Sequence, residues 1–236
     1  MIRRFFEIAK DDGIDVAIKK AIKYAPGIYI GRISKNFFQI NSKSYWDFRL
    51  KFNWSKEGSL QTVRFSESLF EFCNIGDLDP PSVLDFGCAH GDSARIFRKN
   101  WPKSEIFLWD VSTGGLNIAV KKQENFGVKK WDQTTKCNFV YCSNVIEHIE
   151  NVEEFVESLA VSSSKYVCIQ CPWNERHLDG SILTSQTPIG EHVNTIDDAF
   201  LEKFINPYFT EIKVTKGDVP EAWPFGKQLF YLGVLK

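Results

Sequence analysis

The chain reads as an α/β protein, with a doubly wound, mostly parallel sheet, an antiparallel C-terminal hairpin and an N-terminal helical appendage. Three observations predict this. Apolar strand-like runs alternate with helical segments from about residue 79 to the end. The run Ser82-Val83-Leu84-Asp85-Phe86-Gly87-Cys88-Ala89-His90-Gly91-Asp92 carries an apolar strand into an acid, a glycine-containing turn and a helix start. The last two strand-like runs are separated only by Lys216 to Lys227, which holds two prolines and no helical pattern. They should therefore pair directly and close one edge of the sheet.

Taken in order, residues 1–78 form the expected appendage and 79–236 the α/β domain, with Pro80-Pro81 at the entrance. From Met1 to about Asn36, eight Lys and Arg face four acids, and Ile14, Ala17, Ile18, Ala21 and Ile22 make an apolar stripe at helical spacing. Such a helix either packs on its own domain or lies on a membrane surface. Residues from about Ser42 to Cys73 read as further helix and loop, rich in aromatic side chains. Strands are expected at Val83–Phe86, Glu105–Asp110, Phe139–Ser143, Tyr166–Gln170, Phe209–Thr215 and Gln228–Leu235. Helices are expected at Ser93–Asn100, Gly115–Phe126, Val152–Val161 and Asp197–Ile205, the third capped by Asn151. A strand near Val128–Trp131 leaves only Asp132 to Cys137 to reach the next one. Six residues extend roughly 20 Å, and crossing three inter-strand gaps takes about 14 Å of that. That strand should be rudimentary, with no helix after it.

Composition narrows the function. A net charge of −1 gives no general electrostatic reason to bind nucleic acid. The longest stretch without a charged residue, Gly180 to Gly190, is polar and eleven residues long, too short to span a bilayer. Glu7 interrupts any signal-like apolar start, so a cytoplasmic address is expected. Of the six cysteines, Cys168 and Cys171 have the spacing of half a zinc site. Residues three apart on a strand face opposite sides, so buried reduced thiols are expected instead.

The chemistry concentrates at the expected carboxyl edge of the sheet, where doubly wound folds bind ligands. Gly87 and Gly91 permit close backbone approach, and the following helix points free N–H groups at the same place. Asp110, ending the second strand 25 residues after Asp85, is placed to accept hydrogen bonds from ribose hydroxyls. The strand over Asn138–Ser143 then runs into Asn144-Val145-Ile146-Glu147-His148-Ile149. A strand-turn-helix without a ligand, and an acid that merely opens a helix, are the plainer readings of the first two features.

These three elements, in this order and spacing, resemble the class I S-adenosylmethionine-dependent methyltransferases, which share a Rossmann-like sheet. The likeness rests on Val83 to Gly91, on Asp110, on Val145-Ile146-Glu147-His148-Ile149, and on Gly190-Glu191-His192-Val193 before a helix. Tyr45-Trp46-Asp47-Phe48-Arg49 more loosely resembles the leader of members associated with surface glycans. Ala89 stands where the family's turn has its middle glycine, and Asn138 where many members have an acid.

The resemblance implies S-adenosyl-L-methionine as cofactor. Asp85, Gly87, Cys88, Ala89, His90 and Gly91 would hold its methionine end, Asp110 and Val111 its ribose side, and Asp132 its adenine, with Ser143 and Asn144 as the floor under the methyl group. It implies a hydroxyl acceptor, less readily an amine, on a small molecule or glycan. Such an acceptor calls for a general base, for which His148 and His192, with Glu147 assisting, are the candidates; each also has a purely structural reading. No metal is expected. Glu147, His148 and His192 resemble the ligands of some members, but adjacent residues chelate poorly unless the loop bends. Two rivals remain: a binding module without turnover, and a nicotinamide oxidoreductase. The chain contains no Tyr-x-x-x-Lys of the short-chain dehydrogenases.

Overall fold

A computed structural model describes residues 38–52, 54 and 56–236. The basic N-terminal stripe, and with it the membrane-surface reading, lies outside the described residues. Two helices come first, α1 (Lys43–Phe52) and α2 (Lys56–Cys73). The α/β part then runs β1 (Ser82–Phe86), α3 (Ala94–Asn100), β2 (Glu105–Trp109), α4 (Thr113–Lys122), β3 (Val128–Lys130) and β4 (Cys137–Ser143). It continues with α5 (Val152–Ser162), β5 (Ser163–Pro172), a short α6 (Asp198–Phe200) that runs on as a π-turn over Leu201–Ile205, β6 (Phe209–Val219) and β7 (Trp223–Leu235).

The seven strands order as β3-β2-β1-β4-β5-β7-β6. The first five are parallel, and β7 is antiparallel to both β5 and β6. The expected fold is therefore the observed one. Period-2 alternation sorts the strands into two cores. Leu84, Phe86, Val140 and Ile169 face α5 and the 198–205 turn. Val83, Phe139, Tyr141 and Phe230 face α2, α3 and α4. Cys168 and Cys171 fall on opposite faces, and all six cysteines are free and buried.

Boundaries differ where proline or polarity misleads. β7 begins at Trp223, so the hairpin turn is short, with Pro220 in it and Pro224 already inside the strand. β5 starts at Ser163, directly from the end of α5. β3 is three residues long, paired only with β2, and the link to β4 has no helix. Instead Trp131 is buried and donates from its indole N–H to Thr135 O at 2.7 Å.

The order places the reversal of winding between β1 and β4, and ligands bind outside the carboxyl ends of strands at such a point. α2 packs there too: Phe65, Leu69 and Cys73 share the core of Val83 and Phe230. No described helix is long and apolar enough to cross a membrane.

Candidate active site

The turn after β1 is fastened to β2 by its own backbone. Gly87 N and Cys88 N both donate to Trp109 O, at 2.8 and 2.9 Å, and Ala89 N donates to Asp110 Oδ2 at 2.8 Å. Ser112 N donates to the other Asp110 oxygen at 2.8 Å. The result is a cavity of about 380 Å³ at the carboxyl edge. Asp85, Gly87, Cys88, Ala89, Asp110, Val111, Ser143 and Asn144 line it, as do Glu147, His148 and His192.

Two acids mark one end of this cavity. Asp85 is buried, and burial pushes its carboxyl up to about 7; the Ser93 hydroxyl, which donates to it, works against this, and Asp110 and Asp92 reinforce it. Asp110 is likewise raised by burial to about 6, against the two backbone N–H donors. Asp92 has Lys122 at 2.7 Å, but among the described residues no lysine or arginine pairs with Asp85 or Asp110. A buried and a half-buried carboxylate with no described cation beside them suit a positively charged ligand.

The other end carries Glu147, His148 and His192. A tight turn over Ile146–His148 bends the chain, and Val193 N and Asn194 N both donate to Glu147 O, at 2.8 and 3.2 Å. Asn194 Nδ2 donates to Ile146 O and Ile149 O at 3.0 and 2.7 Å, which staples the two segments together. The rings of His148 and His192 meet edge to face at 4.9 Å. Glu147 is buried, and among the described residues neither carboxylate oxygen has a hydrogen-bond partner. Burial raises its pKa to about 7, with His192 pulling the other way. Burial and neighbouring His192 push His148 down to about 4, although its Nδ1 pairs with Glu191 O at 3.0 Å. For His192 burial acts downward but is outweighed by Glu175, whose carboxylate lies 2.5 Å from Nδ1, so its pKa is raised.

Three expected cofactor contacts do not line the cavity. A Cβ on Gly91 would point at Leu108, Gln123 and Ala119, so this glycine serves close packing of the turn on the core. His90 turns away, its Nε2 2.9 Å from Leu50 O, and borders a separate shallow depression with Trp54 and Lys122. Asp132 is exposed and closes its own turn, accepting from Thr134 N, Thr135 N and the Thr135 hydroxyl at 2.8–2.9 Å; these bonds hold its carboxyl well below the usual range.

Sequence reasoning missed several residues that line the cavity or support its walls. Trp46, Arg49 and Trp54 line it from α1 and the link after it, Gln61, Thr62 and Phe65 from α2, and Trp223 from β7. Tyr141 lines it as well, with its hydroxyl buried. The aromatic cluster around Tyr45-Trp46 was the available signal for the first group. Glu175 carries none: it sits in an irregular loop and meets His192 only through folding.

The methyltransferase domain profile matches residues 61–204. No curated protein matches the chain in sequence. Among solved structures it is similar to magnesium protoporphyrin IX methyltransferase from Synechocystis PCC 6803 with bound S-adenosylhomocysteine, at TM-score 0.57 and 15% identity, over 87% of this chain and 99% of that one. It is also similar to a putative sarcosine dimethylglycine methyltransferase from Galdieria sulphuraria (TM-score 0.55, 11% identity, 73% of this chain and 85% of that one). A third is the Haloferax volcanii putative methyltransferase complexed with its Trm112 activator (TM-score 0.56, 13% identity, 80% and 97%). These likenesses share the fold, and the profile, spanning more than half of the chain and both ends of the cavity, shows that it belongs to the methyltransferase domain family, the class I S-adenosylmethionine-dependent methyltransferases.

Proposed function

We propose that the protein transfers a methyl group from S-adenosylmethionine to a hydroxyl of a small-molecule or glycan acceptor. The observation that carries this reading is one cavity with two acids at one end, buried Asp85 and half-buried Asp110, that no described lysine or arginine pairs with, and a glutamate with two histidines at the other. When bound, the cofactor supplies a methyl carbon already activated by a positively charged sulfur. Asp85 and Asp110 offer that charge, and the ligand's ammonium and ribose hydroxyls, a compensating partner. The turn over Gly87–Ala89 brings backbone to the same wall.

The remaining task is positional: an in-line displacement gains most from holding the reacting atoms together. Ser143 and Asn144 are fixed for this by Gln170, whose Oε1 accepts from them at 2.5 and 2.8 Å. A hydroxyl must shed its proton to react, and Glu147, His148 and His192 supply the groups for that at the acceptor end. In this reading α1 acts as a cap: Trp46 lies edge-on to the His148 ring at 5.1 Å, and Arg49 sits 3.6 Å from Glu191 beside it. An amine is already nucleophilic once neutral and leans less on such groups, which is why a hydroxyl is favoured.

Calorimetry with S-adenosylmethionine and with NADH tests the cofactor end. Mass spectrometry of metabolites and glycans from cells with and without the protein tests the acceptor. Binding of the methyl donor and loss of a 14-Da increment on a hydroxyl are expected, the mass being that of one CH₂ by elementary arithmetic (about 14). NADH binding in its place, or methylation confined to amines, would overturn the reading.

A further inference from the structure

The floor of the cavity is held by two buried amides that do not reach the cavity themselves. Gln170 of β5 and Gln228 of β7 are both buried, and neither lines the cavity. Gln170 stands opposite Phe230, and Gln228 two residues before it, so alternation puts both on the face that α2 covers. Their side chains form a relay of hydrogen bonds with a direction. Gln170 Nε2 donates to Gln228 Oε1 at 2.5 Å, which leaves Gln170 Oε1 to accept from the Ser143 hydroxyl and from Asn144 Nδ2. Asn144 Nδ2 also donates to Ser143 Oγ at 3.3 Å. The Asn144 amide nitrogen is thereby spent on the protein side, and Oδ1 is the atom left to face the cavity that Asn144 lines.

The direction is set at Gln228. Turned end for end, Gln170 would bring its Nε2 against Asn144 Nδ2 and its Oε1 against Gln228 Oε1, two like contacts. Gln228 stands opposite Pro172 in β5 and Gly217 in β6, neither of which has a side-chain hydrogen-bonding group. Its Nε2 is accordingly buried with no partner among the described residues. The unmet donor thus lies at the far end of the relay, while an oxygen is kept at the cavity end.

Asn144 stands where the two ends of the cavity meet. It follows β4, the strand beside β1, and its neighbour Val145 occupies the space above Gly87, where a Cβ would lie 2.4 Å from Val145 Cγ2. Glu147 follows three residues on. A methyl group passing from a donor at the acid end to an acceptor at the Glu147 end crosses this point. We propose that Gln170 and Gln228 are positioning residues for methyl transfer, holding Asn144 with its amide oxygen toward the sulfonium methyl and so favouring the charged donor over its neutral product. The role, unlike the direction of the relay, rests on the methyl-transfer reading. A carbonyl oxygen accepts weak bonds from polarised C–H groups and stronger ones from an ammonium, whereas an NH₂ in its place would repel both.

The test uses the full chain and three nucleosides: S-adenosylmethionine, S-adenosylhomocysteine, and sinefungin, which carries an ammonium where the cofactor carries its methylated sulfur. Calorimetry on the native chain should show both cations preferred over S-adenosylhomocysteine. Gln228→Met removes the acceptor that orients Gln170. It should cut the preference for sinefungin about tenfold and that for S-adenosylmethionine about 2- to 5-fold. Unchanged affinity for S-adenosylhomocysteine reports that the variant is folded. Gln228→Glu keeps an oxygen toward Gln170 and should retain the native preference. Asn144→Ala should show the same loss as Gln228→Met, and combining the two should add nothing. The direction is also read without ligand by nuclear magnetic resonance: the Asn144 side-chain NH₂ should exchange its protons slowly in the native chain and rapidly in Gln228→Met. An unchanged preference in folded Gln228→Met, an equal loss in Gln228→Glu, or rapid exchange in the native chain overturns the proposal. Failure of the native chain to bind any of the three nucleosides overturns the methyl-transfer reading and the positioning role with it; slow exchange would then leave only the direction of the relay standing.

Discussion

Gly87 and Ala89 both hold a left-handed backbone, at φ 86° and 48°, in the turn that forms the cofactor wall. Glycine adopts this freely, whereas alanine there costs about 1–2 kcal/mol. Ala89→Gly returns that strain but loosens the unfolded chain by roughly 0.4–1 kcal/mol. It should therefore raise stability by up to about 1 kcal/mol in urea unfolding, and a loss of stability would show that the methyl packs favourably. Gly87→Ala goes the other way. Its Cβ would lie 2.4 Å from Val145 Cγ2, and the positive φ cannot relax it. Overpacking plus backbone strain should destabilise the protein by about 2–3 kcal/mol, visible in the same measurement. Asp110→Ala removes a half-buried acceptor and should weaken S-adenosylmethionine binding by roughly 1–3 kcal/mol in calorimetry. Unchanged affinity would mean that the ribose is held elsewhere. Glycines and acids like these are legible in a sequence because their chemistry is local. Glu175 and Asp132 mark the opposite limit, one recruited across a loop and the other claimed by the turn it sits in.

Elements were legible where side-chain period and burial agree. β1, β2 and α5 appear within about a residue of their expected ends because each has one unambiguous apolar face. The placement of α1 across the site was not legible, because it depends on a contact between helices far apart in sequence. Asp47 of α1 accepts from the Ser112 hydroxyl at 2.7 Å and from Gly114 N at 3.2 Å, at the start of α4. It thereby adds a carboxylate to a helix N-terminus already capped by Ser112. Directly beneath, Gly115 leaves room for Leu50: a Cβ there would come within 2.4 Å of Leu50 Cδ1. α1 also brings Trp46 and Arg49 into the cavity, so its seating and the shape of the acceptor end are coupled. Gly115→Ala should lift α1 from α4 and expose its backbone to hydrogen exchange. If the acceptor is bound under this helix, its KM should rise more than kcat falls. Exchange in α1 identical to the native chain would show that the helix is seated by other contacts.

At the scale of the whole molecule, the site concentrates acids that no cation of the described residues pairs with, and this gives binding and stability opposite responses to acid. Asp85 and Asp110 titrate at about 7 and about 6 in the folded chain, against an ordinary carboxyl value of 3.8. Between those limits the native state holds protons that the unfolded chain has released. The native state is therefore the better proton binder, and these two groups contribute stability that grows as pH falls from about 7 toward 4. Asp47 near Asp110, and Asp92 near Asp85, act in the same sense. A cationic ligand requires the ionised carboxylates, so its affinity must fall over the same range. One acid titrating at about 7 costs about tenfold in affinity between pH 8 and pH 6, and the second adds to it near the lower end. Thermal melts with and without S-adenosylmethionine separate the two effects. The shift produced by the cofactor should shrink steadily from pH 8 to pH 6. The Asp85→Asn variant, which cannot ionise there, should bind weakly at pH 8 and lose most of that dependence. A cofactor shift that is flat with pH in the native chain would mean that the two acids are already ionised, and hence that a cation absent from the described residues pairs with them.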